Sequence, residues 1–267
     1  MFLDRILQDK KIEVAERSRR VALADLERLV AEAPPPRDFL GAIKGTGLAV
    51  IGEVKRGSPS RGPIRPDLDA ASLAVQYQVG GCAAISVLTD APHFLARPHD
   101  LERVRAATTV PVLRKDFLLD EYQIWESRAM GADAVLLIVA ALQAGELAHL
   151  VRLAGELGMC PLVEVHSAEE VDIALDRGVR LVGVNNRDLR TFQVNLETTQ
   201  RLIQQIPGNV AVVSESGIAG PREAALVRHW GADAILVGEA LVSSADPAGL
   251  VRALSETGTG SSRGRRS

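Results

Sequence analysis

The stretch Leu48-Ala49-Val50-Ile51-Gly52-Glu53-Val54-Lys55-Arg56-Gly57-Ser58-Pro59-Ser60 opens as a continuous apolar run and closes on charge. Strand side chains alternate between two faces, so Ile51, Glu53 and Lys55 share one of them. A run that is apolar on both faces is the mark of a parallel strand covered on both sides. On such a strand an inward carboxylate and ammonium must be paired or used, because burying either alone costs several kcal/mol. On a solvated face the same pair would be weak and common. The lead-in from Leu48 to Ile51 favours the buried reading.

Seven further short apolar runs follow, at Ala83 to Leu88, Val110 to Leu113, Ala134 to Val139, Pro161 to Val165, Leu181 to Val184, Val210 to Val213 and Ala234 to Val237. Between them lie helix-patterned segments such as Leu68 to Val79, Tyr122 to Met130, Gly145 to Leu157, Ala168 to Arg177, Leu196 to Ile206 and Arg222 to Trp230. Alternating strands and helices imply parallel pairing with right-handed crossovers, and eight such units imply an α/β chain closed into a single (β/α)8 TIM barrel. A doubly wound open sheet competes, but no G-x-G-x-x-G follows the first run. The segments Gly131-Ala-Asp-Ala-Val-Leu-Leu and Gly231-Ala-Asp-Ala-Ile-Leu-Val echo one another, each ending a helix on glycine and launching a strand.

The barrel is expected to fill residues 48–256. Residues 1–47 carry helical spacing at Leu3, Ile6 and Leu7, a charged helix through Arg20, a break at Pro34-Pro35-Pro36, and an apolar anchor at Phe39, Leu40 and Ile43. They read as an N-terminal helical extension packed on the barrel. Residues 257–267 are too polar and glycine-rich to fold and read as a disordered tail.

With 267 residues, 46% of them apolar, the chain can bury a sizeable core, and one barrel of about 250 residues uses nearly all of it. A net charge of -3 gives no reason to expect nucleic acid or an anionic membrane as partner and leaves small anionic metabolites open. Cys82 and Cys160 lack metal-ligand or C-x-x-C spacing and read as reduced core residues. Without a signal-like apolar block or a run of about 20 apolar residues, the protein is expected in the cytoplasm. The five histidines, His93, His99, His149, His166 and His229, show no ligand spacing and read as surface or capping residues; Trp125 and Trp230 read as helix packing.

Catalytic groups of such barrels sit at the carboxyl ends of strands. Here the runs end in Glu53 and Lys55, in Lys115, in Glu164, in Asn185 with Arg187, and in Glu215-Ser216-Gly217. Lysines and carboxylates converging on one opening suggest proton chemistry, with a lysine serving as general acid or as Schiff-base nucleophile. Gly217 after the seventh run and Gly238-Glu239 after the eighth stand where barrels hold phosphate with backbone amides.

Taken in order, Glu53-Val-Lys55-Arg-Gly-Ser58-Pro-Ser60-Arg-Gly62, Leu113-Arg-Lys115-Asp-Phe117, Pro161-Leu-Val-Glu164-Val, Gly183-Val-Asn185-Asn-Arg187-Asp-Leu189, Ser214-Glu215-Ser-Gly217-Ile and Val237-Gly238-Glu-Ala resemble the indole-3-glycerol phosphate synthase family over about residues 2 to 255. The resemblance implies a cofactor-free carboxy-lyase of tryptophan biosynthesis acting on 1-(2-carboxyphenylamino)-1-deoxyribulose 5-phosphate. It implies Lys115 as the general acid of ring closure, Glu164 as support of the cationic intermediate or a proton carrier, and Glu53 with Lys55 for the final dehydration, contact with phosphate being a further role open to Lys55. It further implies that Asn185 and Arg187 orient the anthranilate part, that Ser58, Glu215 and Ser216 line the pocket, and that Phe117 and Leu136 supply its apolar wall, Leu136 being equally explicable as core. Gly217, Gly238 and the amide of Glu239 would hold phosphate, the Glu239 side chain turning away. The expected partner is a small phosphorylated substrate and the expected state a monomer, with a weak homodimer as alternative.

Three other functions compete. A phosphoribosylanthranilate isomerase would be expected to carry a cysteine base where this chain has Glu53 and Lys55. A Schiff-base aldolase would use one lysine covalently, and a non-catalytic sugar-phosphate binder would have no need of two lysines and several carboxylates in one mouth.

Overall fold

The structure, a computed structural model, describes residues 2–45 and 47–257; the expected tail from residue 258 onward lies outside the described residues. Eight strands, β1 (Ala49–Val54), β2 (Ala84–Leu88), β3 (Val112–Lys115), β4 (Ala134–Ile138), β5 (Cys160–Val165), β6 (Leu181–Asn185), β7 (Ala211–Glu215) and β8 (Ala234–Val237), pair in parallel with their sequence neighbours. β8 pairs with β1 in register Ala49↔Ala234 to Gly52↔Val237, closing the (β/α)8 barrel.

Three helices precede β1, namely α1 (Phe2–Arg20), α2 (Leu23–Glu32) and α3 (Phe39–Ile43). Around the barrel run α4 (Ala70–Val79), α5 (Asp100–Ala107), α6 (Glu121–Ala129), α7 (Ala144–Glu156), α8 (Ala168–Leu175), α9 (Glu197–Leu202), α10 (Pro221–His229) and α11 (Pro247–Glu256). Side-chain carboxylates or hydroxyls cap several of their starts, as Asp69 does for α4, Asp120 for α6 and Ser167 for α8, satisfying amides that have no partner within the helix. The helix expected from Leu196 to Ile206 is split: α9 tightens into a 3-10 turn at Ile203–Gln205. Pro207, just beyond, disfavours continuation of the α conformation. Among the described residues no helix is long and apolar enough to cross a membrane.

The echo at Gly131 and Gly231 marks equivalent joints. Both glycines have positive φ, 86° and 104°, which a side chain would strain. Asp133 and Asp233, two residues on, each accept the backbone N–H of the preceding strand's first turn, Val112 and Val212, and so tie the strand starts together.

Alternation along each strand builds the barrel interior in layers. Phe39 and Ile43 of α3 plug the floor, packed with Ile51, Leu113, Ala134, Leu162, Leu181, Val213 and Ala234. The other strand face, with Val50, Val87, Val135, Val163, Val182 and Val212, packs outward against the helices. Moving up the inward face, the next residues are Glu53, Lys115, Glu164, Gly183, Asn185, Glu215 and Gly238. Each follows an apolar inward residue by two positions, apart from Asn185, which stands two beyond Gly183 and four beyond Leu181. The polar layer therefore lies at the carboxyl ends of the strands, above an apolar core.

Candidate active site

A cavity of about 710 Å³ opens at that end. All fourteen residues singled out from the sequence line it: Glu53, Lys55, Ser58, Lys115, Phe117, Leu136, Glu164, Asn185, Arg187, Glu215, Ser216, Gly217, Gly238 and Glu239. Leu136 is both wall and core, being buried in the interior cluster while facing the cavity. Phe117 packs obliquely on Phe94, ring centroids 6.3 Å apart.

The centre of the polar layer is Lys115, whose Nζ stands 3.0 Å from Glu164 Oε2 and 3.1 Å from Glu215 Oε2. Burial disfavours its ammonium, but Glu164, Glu215 and Glu53 outweigh that and hold the pKa well above the ordinary lysine value. The two flanking carboxylates differ. For Glu164, burial favours the acid form, but Lys115, His166 and Asn185 reverse this, and its carboxyl lies well below the usual range. Glu215 is also pushed up by burial; Lys115 opposes this, while the charges of Glu164 and Glu53 add to it, and the pKa rises to about 7. One oxygen of Glu215, Oε1, has no hydrogen-bond partner among the described residues. One ammonium thus sits between a firmly ionised carboxylate and one poised to exchange a proton near neutrality.

Glu53 and Lys55 form the neighbouring pair, 2.8 Å apart and mostly buried. Two glycines make room for these groups. A Cβ at Gly183 would fall 2.2 Å from Glu215 Oε1, and a Cβ at Gly238 would fall 2.2 Å from Glu53 Oε1 and 3.0 Å from Lys55 Nζ. Gly238 therefore has a spatial role that the sequence does not reveal.

Asn185 Nδ2 donates to Glu164 Oε1 at 3.1 Å, and Asn185 Oδ1 accepts the Arg187 amide at 3.0 Å. Arg187 Nη1 donates to the Phe192 carbonyl at 3.1 Å, holding the loop after β6 against the cavity. Ser216 and Gly217 both have positive φ, 64° and 84°, turning the chain sharply after β7. The Glu239 carboxylate is paired with Arg61 of the loop after β1 at 3.2 Å, which offsets its charge at the rim.

Two features escaped the sequence reading. The first is the part played in the site by α1, a helix that the sequence does lead one to expect: its Leu3 and Ile6 line the cavity. Its Lys10 is 1% exposed and reaches Asp90 Oδ2 and Asp116 Oδ1 at 2.9 Å each, with Glu13 at 2.7 Å. Asp116 also accepts from Thr89 (2.6 Å) and Arg114 (3.2 Å), and Arg114 continues to Glu126 at 2.8 Å. Although burial opposes ionisation, Arg114 and Lys10 hold the Asp116 pKa at about 2. Arg114 and Asp116 flank Lys115 in sequence and point to the opposite side of the strand, so this ionic network backs the strand that carries it.

The second is His166, expected at the surface or as a cap. Its backbone N–H does bond Glu170 at 2.7 Å, but its ring faces the site, Nε2 3.3 Å from Glu164 Oε1 and Nδ1 3.2 Å from Glu170 Oε2. Burial disfavours the imidazolium, yet the contacts with Glu164 and Glu170 push the pKa up to about 10. The spacing was available: Glu164 and His166 stand two apart at a strand end, as Glu53 and Lys55 do.

Comparison with known proteins gives a family. The profile of the family "Indole-3-glycerol phosphate synthase" matches residues 3–254. An indole-3-glycerol phosphate synthase of Roseiflexus castenholzii is 52% identical, covering 95% of this chain and 97% of that one. Those of Aromatoleum aromaticum (48%, covering 95% and 98%) and Streptomyces coelicolor (46%, covering 92% and 91%) are similarly close. Among solved structures, a thiamine phosphate pyrophosphorylase from Pyrococcus furiosus superposes with a TM-score of 0.61 at 17% identity, over 80% of this chain and 96% of that one. An N-acetylmannosamine-6-phosphate 2-epimerase from Clostridium perfringens gives 0.58 at 16%, over 78% and 93%. At such identity these two support the barrel alone.

Proposed function

Since the chain belongs to the indole-3-glycerol phosphate synthase family and closes the indole ring with loss of carbon dioxide and water, we propose how its polar layer divides the steps. The observation that carries the reading is Lys115 held as an ammonium between Glu164 and Glu215. Lys115 protonates the ribulose carbonyl oxygen as the aryl carbon attacks that carbon. Glu164, ionised throughout, offsets the cationic intermediate formed before carbon dioxide leaves. Lys55 protonates the departing hydroxyl and Glu53 takes the proton released as the ring aromatises; their 2.8 Å contact allows that proton to pass back.

The substrate enters as a carboxylate and leaves as carbon dioxide, so each turnover takes up one proton from solvent. Lys115 is the group left short, and Glu215, 3.1 Å away with a pKa of about 7, is suited to resupply it. Arg187 and Asn185 orient the anthranilate carboxylate, Phe117 and Leu136 bracket its ring, Ser58 and Ser216 line the sugar, and the amides of Gly217, Gly238 and Glu239 take the phosphate. Holding both anionic ends fixes the reacting carbons at attack distance.

The test is incubation with 1-(2-carboxyphenylamino)-1-deoxyribulose 5-phosphate, following indole fluorescence and proton uptake together. Lys115→Ala is expected to keep its circular dichroism spectrum and lose kcat by at least about 10²-fold. Wild-type turnover in that variant refutes the role. We further propose residues 1–47 as an extension and 48–256 as the barrel. We also propose a cytoplasmic monomer, with a weak homodimer as alternative, which light scattering on the eluting protein decides.

A further inference from the structure

The two carboxylates touching Lys115 differ in their other neighbours: Glu164 has a second cation and the Asn185 amide, whereas Glu215 has the like charges of Glu164 and Glu53. Glu164 Oε2 faces Lys115, while Oε1 takes Asn185 at 3.1 Å and the His166 ring at 3.3 Å. The His166 contact is an ion pair without an aligned hydrogen bond. The ring is clamped from behind by Glu170 of α8, which accepts from both its Nδ1 and its backbone N–H. The titratable and charged groups facing the ring are Glu164 on its own strand and Glu170 on α8, with Lys115 of β3 lying beyond Glu164. Side-chain exposure rises along the chain of groups, 2% at Glu164, 15% at His166 and 20% at Glu170.

Lys115 loses its charge at the moment it acts. A buried Glu164 balanced by Lys115 alone would then be the nearest base, and the proton meant for the substrate oxygen could settle on it. We propose that His166 is a positioning residue whose fixed positive charge keeps Glu164 ionised and oriented through the step in which Lys115 is neutral, leaving proton exchange to Glu215. The inference rests on the assignment of Lys115 and Glu164 made above. His166 itself touches no reacting atom; it acts through Glu164.

The experiment pairs His166→Gln, which keeps an N–H near the position of Nε2 without the charge, with His166→Ala. Both are expected to lose kcat about tenfold or more at pH 7, with KM within twofold. In His166→Gln the loss deepens toward acid, because a buried carboxylate deprived of a nearby cation titrates about 1–3 units higher. Wild-type kcat in His166→Gln, or a loss of the same size at every pH, overturns the proposal, since either leaves no role for charge. A second measurement needs no turnover and no variant at position 166: imidazole ¹⁵N shifts of the folded wild type. These are expected to show His166 doubly protonated at pH 8 and to titrate at least one unit lower in Glu164→Gln. A neutral His166 at pH 7 overturns the proposal even if the variants misfold. Full activity in Glu164→Gln alongside a lowered His166 titration would instead fault the role given to Glu164.

Discussion

Replacing Lys10 by methionine tests whether α1 is an integral part of the site's support. The side chain is 1% exposed and its ammonium sits 2.9 Å from each of two buried carboxylates, Asp90 and Asp116. Methionine fills much the same volume, so the cavity cost is small and the change is chiefly electrostatic. Asp116 retains Arg114 and Thr89, but Asp90 Oδ2 loses its ion-pair partner. Breaking a buried pair on one side costs about 3–5 kcal/mol. For a chain of this size that is a fall in melting temperature of roughly 6–20 °C. Arg114 and, after it, the Lys10 charge also set the acid limb. The Asp116 pKa is depressed from 3.8 to about 2, so the stability it contributes is present above pH 3.8 and lost as pH falls towards 2. Scanning calorimetry at pH 7 measures the first effect, and Lys10→Met combined with Asp90→Asn should recover part of it. A melting temperature within 2 °C of the parent (roughly 1 kcal/mol or less) would refute the account of the network.

Two other outcomes follow from the polar layer. Gly238→Ala places a methyl group 2.2 Å from Glu53 Oε1, the mobile end of a side chain; the fold should hold while the carboxylate is displaced, and kcat should fall by about 10²-fold. A kcat within threefold of wild type would show that Glu53 does not need its present position. Glu215, with its pKa raised to about 7, should give kcat/KM an inflection near that pH that disappears in Glu215→Gln. Because the folded carboxyl binds its proton more tightly than the unfolded one, the parent should also lose stability between pH 4.5 and 7 that the Gln variant keeps, read as urea midpoints.

The barrel was legible because its signals are local. Eight apolar runs, the glycine-led echo at Gly131 and Gly231, and the two-residue alternation that sets Glu53 above Ile51 all fall within a few residues. The mouth was legible for the same reason, since strand ends can be read one at a time. What was not legible depends on pairs far apart in the chain. Lys10 meets Asp116 only because α1 lies across the ends of β2 and β3, and nothing in the pattern around Leu3, Ile6 and Leu7 marks a lysine for burial. The unlike behaviour of Glu164 and Glu215 comes from a histidine and an amide beside one and two further carboxylates near the other, a difference that spacing alone does not rank. His166 stands two residues beyond Glu164, but a histidine without metal-ligand spacing reads from sequence as a surface or capping residue rather than as the partner of that carboxylate.

The glycines at 183 and 238 bear on how such a site could be rebuilt elsewhere. Glu215 stands over Gly183 of the strand before it in the ring, and Glu53 over Gly238 at the end of the strand before it. Each acid and the bare position beside it form a socket and its occupant, split across two strands, successive in the case of β6 and β7 and the last and first of the barrel in the other. Transplanting the carboxylates alone into another eight-stranded barrel would seat them against side chains. A graft has to carry the empty half of each socket as well, and a search for this chemistry in unrelated barrels should look for the acid and the neighbouring gap together.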